Sequence, residues 1–123
     1  MAEGLYGVKL TTSFLDRLEA IEAFLNEAGA AFAFDSLLAE LRATVIPNLA
    51  RFPRMGRRYR DKPLQSVEAL TALAALPAGA TDALREYLHG DYLVLYAAMD
   101  ATEMVYLLSV RHHRQLTFDF ANH

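Results

Sequence analysis

The chain contains no cysteine. That excludes a disulfide framework and any thiolate-held metal. Glycine is sparse and scattered, at positions 4, 7, 29, 56, 79 and 90, so no Gly-rich loop is available to cradle a phosphate. No apolar run reaches the ~18 residues that a membrane-spanning helix needs. The first residues lack the basic start and long apolar stretch of a secretory signal. H-E-x-x-H and G-x-S-x-G are both missing. These absences lead to the expectation of a cytoplasmic protein with no cofactor and no membrane partner.

What is present suits one domain spanning residues 1–123. A domain of this length buries roughly two-thirds of its unfolded surface, so it needs no staple. The composition is 54% hydrophobic, which can supply that core. Net charge is −3, too negative for a general polyanion binder. The charge is unevenly placed. Arg51 to Lys62 holds six basic residues and one acid, or +5, while the rest holds six basic and fourteen acidic residues, or −8. A basic loop on an acidic body suits a local anionic partner; the plain alternative is a solvated loop.

Taken in order, residues 7–11 place Val8 and Leu10 on one side and read as a strand. Thr12 or Ser13 is the expected cap of the helix that follows, with Asp16 completing a capping box. Phe14, Leu18, Ile21 and Leu25 form its apolar stripe, and Gly29 its left-handed stop. A second helix is predicted over 34–50 on Leu38, Leu41, Val45 and Leu49. Pro47 removes a backbone donor and should kink or end it. A short extra helix is possible over 64–76. Strands are predicted at 84–89, 92–99 and 104–112, with Gly90-Asp91 as a hairpin turn. The expected fold is α+β: a small antiparallel sheet packed against a helical hairpin, in the order βααβββ.

The last hairpin runs into Arg111, His112, His113 and Arg114. On an extended strand, Arg111 and His113 share one face and His112 and Arg114 the other. Adjacent histidines on a strand cannot chelate one metal together. Their chemical use would be proton transfer beside guanidinium charge. The plain alternative is pairing with acids such as Asp119. Arg85 sits within a strand, where an ion pair, with Asp91 as partner, is the simpler role. Tyr92, Tyr96 and Tyr106 offer rings for base stacking, although aromatics on central strands usually serve the core.

Three segments resemble toxins of the RelE/ParE superfamily, from bacterial type II toxin–antitoxin modules. They are Tyr92–Tyr96 with Val105–His112, Phe52-Pro53-Arg54-Met55-Gly56-Arg57, and Leu84–Tyr87. In order and spacing the resemblance runs from about Gly7 to Asp119. It implies a cognate antitoxin as first partner and leaves the oligomeric state open. In ribonuclease members it would make His112 or His113, with Arg57 and Arg111, catalytic in a ribosome-dependent cleavage of mRNA. In ParE-like members it implies inhibition of DNA gyrase by protein contact, without catalysis. Target contact would then fall to Arg54, Arg58, Arg85, Tyr96, Arg111 and Arg114. RNA-cleaving members carry lysines along the second helix, whereas this helix offers only Arg42 before the loop. The Phe-Pro-x-x-Gly-Arg turn also resembles the ParE branch, so the gyrase reading is favoured and the mRNA endonuclease is the alternative.

Overall fold

The computed structural model describes residues 5–58, 74, 76 and 83–112. The possible helix over 64–76 and the arm residues His113 and Arg114 lie outside these, apart from positions 74 and 76. The elements are β1 (Gly7–Leu10), α1 (Thr12–Glu27), α2 (Ala31–Glu40), a π-helical stretch Leu41–Val45, α3 (Ile46–Arg51), β2 (Arg57–Arg58), β3 (Leu84–His89), β4 (Tyr92–Met99) and β5 (Met104–His112). They form one five-stranded sheet in the order β1-β5-β4-β3-β2. Its neighbours run antiparallel except β1, which lies parallel to β5. The sheet is therefore mixed. β1 is separated from β5 by nearly the whole chain, so no tight turn dictates their direction.

α1 starts one residue earlier than its expected cap. Thr11 is the N-cap, and its hydroxyl accepts from the Phe14 amide at 3.2 Å. The same hydroxyl donates to the Leu107 carbonyl at 2.8 Å, so one side chain both opens the helix and ties it to β5. Ser13 is instead buried under the helix. Gly29 takes φ +72° at the other end. There the Ala30 amide donates to Leu25 and that of Gly29 to Asn26, the paired closure that satisfies orphan carbonyls.

Pro47 does not stop the second helix. The turn before it widens into the π stretch, where the Ile46 amide reaches back to the Leu41 carbonyl. A widened turn absorbs the proline's missing donor, and α3 continues to Arg51. Its buried stripe is Phe34, Leu37, Leu41, Val45 and Leu49, while Leu38 stays at the margin.

The main core lies between the helices and one sheet face. Phe14, Ile21, Val45 and Leu49 meet Val94, Tyr96, Val105, Leu107 and Val110 there. A smaller cluster on the other face joins Leu84, Ala97, Met99 and Leu108, with Leu76 against it. β4 alternates strictly between the two. β5 does not: Leu95 lies opposite Ser109 but Tyr96 opposite Leu107, leaving Leu108 as an extra residue. This bulge switches the alternation. Val105 and Leu107 face the helices before it, and Val110 and His112 after it.

Candidate functional site: a basic turn locked onto the sheet

α3 ends at Arg51, and the chain turns back through Pro53–Gly56 into β2. Two side chains of the sheet hold this turn. Tyr96 is fully buried, and its hydroxyl donates to the Pro53 carbonyl at 2.8 Å and accepts from the Gly56 amide at 2.9 Å. Arg85 on β3 donates from one nitrogen to the carbonyls of Gly56, at 2.6 Å, and Arg54, at 3.2 Å. Gly56 fits because it has no side chain. A Cβ there would sit 2.4 Å from the Glu86 carbonyl and 2.8 Å from the Tyr96 hydroxyl. The glycine in the Phe-Pro-x-x-Gly-Arg segment is thus a close-approach residue.

An acid pins the turn from its other side. Asp100, in the β4–β5 loop, pairs with Arg54 and accepts from the Tyr6 hydroxyl at 2.6 Å. The Tyr6 hydrogen bond, with Arg54 nearby, holds the Asp100 carboxyl below its ordinary range. The same bond raises Tyr6. Burial raises the Tyr96 hydroxyl, partly offset by the Gly56 amide. Beside the turn lies a shallow depression of about 340 Å³, bordered by Arg54, Arg58, Arg85, Met99 and Asp100. Three guanidiniums against one carboxylate make it suited to an incoming anion.

The turn's outer surface is amphipathic. Phe52 is 57% exposed and Met55 41%. The Arg57 side chain is 82% exposed, with one loose contact of 3.5 Å to Glu86. Arg51 and Arg58 are exposed as well. No ion pair engages either of these two among the described residues.

Other expected site residues fall elsewhere. Tyr96 has no surface to offer a base or a target; its part is to hold the turn. Arg85 does not pair with Asp91, because both of its bonds go to turn carbonyls. Arg111 and His112 take opposite faces, as strand alternation requires. The His112 ring stands edge-on to Tyr92, with centroids 4.9 Å apart. Arg57 is not beside them. It lies opposite Glu86, which lies opposite Leu95, which lies opposite Ser109. Three strand spacings, about 14 Å, therefore separate Arg57 from β5.

A second polar group was not foreseen. His89 Nε2 lies 2.6 Å from Glu40 Oε1, and its Nδ1 lies 3.5 Å from the Tyr87 hydroxyl. In the register, His89 and His112 flank Tyr92 on the helix-side face. Glu40 and His89 are 49 residues apart, and nothing local in the sequence links them. Among the described residues no three His, Cys, Asp or Glu side chains gather to hold a metal. No helix among them is long and apolar enough to cross a membrane.

Comparison with known proteins places this geometry. No curated protein matches the chain significantly. Among solved structures it is similar to the RelBE2 toxin–antitoxin complex of Mycobacterium tuberculosis, at TM-score 0.53 and 19% identity, over 89% of this chain and 93% of that one. That likeness is one of fold. A weaker likeness, at TM-score 0.45 and 21% identity, is to a conserved hypothetical protein of Helicobacter pylori, over 91% of this chain and 99% of that one. The sequence model of the ParE toxin of the type II toxin–antitoxin system parDE matches residues 8–117, from β1 through the whole sheet, and the chain belongs to that family.

Proposed function

We propose that this ParE-family chain acts by protein contact rather than by cleavage, with DNA gyrase as its target and a cognate antitoxin as its neutralising partner. The observation that carries the reading is the dispersal of the alternative catalytic set. A phosphodiester-cleaving site needs its base and its charge-stabilising cations converged within hydrogen-bond reach of one reacting group. Here Arg57 is three strands away from His112, and Arg111 points to the other face. What the sheet builds with care is instead a rigid, exposed turn. The antitoxin follows from the two-component nature of the family, and the cytoplasm from the proposed target.

The test is a supercoiling assay with purified chain and purified gyrase. Loss of supercoiling, relieved by adding the neighbouring antitoxin, is the expected result. Normal supercoiling beside selective loss of translated mRNA would instead support the endonuclease reading with His112 or His113.

A further inference from the structure

We propose that the Phe52–Arg58 turn is the surface by which the toxin grips its target, entering an apolar cleft rimmed by carboxylates on a folded protein. The inference rests on the contact mode of action above and goes on to name the surface. Phenylalanine, methionine and arginine are the residue types enriched where protein interfaces bury most surface, and this short segment exposes all three. Arg57 and Arg58 lie on this segment and Arg51 directly before it, within the Arg51–Lys62 stretch of +5 on a chain whose remainder carries −8. Such a charge pattern attracts an acidic partner locally and repels an extended polyanion. The depression bordered by Arg54, Arg58 and Arg85 has room for a carboxylate side chain.

The partner's shape also follows from the geometry. The turn is fixed before binding, by two bonds from Tyr96, two from Arg85 and the Arg54–Asp100 pair. A pre-organised projection loses little freedom on docking and suits a matching cleft. A disordered antitoxin tail needs a groove to lie along, and a projecting turn with a side-chain-sized depression provides none.

The experiment compares the full-length chain with Phe52→Ser, Met55→Ser and Arg58→Glu variants. Each is induced in cells in graded amounts, then purified with its antitoxin. The expected result is growth arrest weakened about 30-fold or more for Phe52→Ser and Arg58→Glu, the scale of losing an interface hot spot. Melting temperature and antitoxin affinity should stay unchanged. Full toxicity in all three variants would overturn the proposal. So would parallel loss of antitoxin affinity by folded variants, since the turn would then belong to the antitoxin interface. Growth arrest with gyrase untouched would remove only the gyrase assignment, and the variants would still decide the surface. A wild-type chain that arrests no growth would overturn both.

Discussion

Tyr96 shows how one hydroxyl can govern a distant surface. It is buried, yet it fixes the conformation of the Pro53–Gly56 turn, whose Arg54 and Met55 are exposed. Tyr96→Phe keeps the ring in the core and leaves the Pro53 carbonyl and Gly56 amide without their partner. The expected cost is about 1–3 kcal/mol, read from the urea midpoint. Gly56→Ala should cost at least as much, because its methyl meets the Glu86 carbonyl of β3 and the buried Tyr96 ring, neither of which can swing away. Asp100 predicts a pH response of definite sign. Its folded-state carboxyl sits below the ordinary 3.8. The stability it contributes is therefore present above about pH 4 and is lost as pH falls through the lower folded value. Asp100→Asn should remove that acid-side loss from a stability-against-pH curve while leaving the rest of the curve in place. Tyr6, Tyr92 and Tyr96 act at the alkaline end. All three are raised above 10.0, the first by its bond to Asp100 and the others by burial. Their contribution is complete below pH 10 and is lost as pH rises through the folded values, so urea midpoints should fall in that range.

At the scale of elements, much of the fold was legible because its faces are periodic. Phe14, Leu18, Ile21 and Leu25 are all buried, and the three hairpin strands fall at their expected residues. What escaped was set by contacts between distant segments. The true cap, Thr11, is chosen by the Leu107 carbonyl, 96 residues away. The π stretch that tolerates Pro47 has no signature of its own. The two-residue strand β2 exists because β3 offers an edge to pair with. The Phe52–Arg57 segment was visible as a motif, but its lock was not. Arg85 and Tyr96 looked like contact residues, and only the fold reveals that they hold the turn from behind. The bulge at Leu108 also left no trace in the apolar run 104–110. Deleting Leu108 would restore simple alternation with Leu107 and Val110 still toward the helices, and would put Ser109 in place of the leucine that packs with Leu84, Ala97 and Met99. The expected outcome is unfolding that stays cooperative but moves to a lower urea midpoint, by about 2–5 kcal/mol for the buried leucine removed.

For the molecule as a whole, the basic turn is carried by a chain whose net charge is −3. Unlike Arg54, which Asp100 holds, Arg57 is only loosely held, by its 3.5 Å contact to Glu86. Exposed pairs of this kind are worth about 0–1 kcal/mol, so charge there can serve recognition at little cost to stability.

The parallel seating of β1 on β5 has a consequence in time. Gly7–Leu10 pairs with Met104–Leu107, so the first strand waits for the last. α1 also makes its main sheet contact with β5. Long-range pairings of this kind close late and slow folding. A chain emerging from the ribosome would hold its helices and first strand without a finished core until β5 has been made. A fragment ending at Asp100 should therefore be degraded by protease at once, whereas the full chain resists. A fold assembled in this order is completed from β5 back to β1, the reverse of the order in which its strands are made.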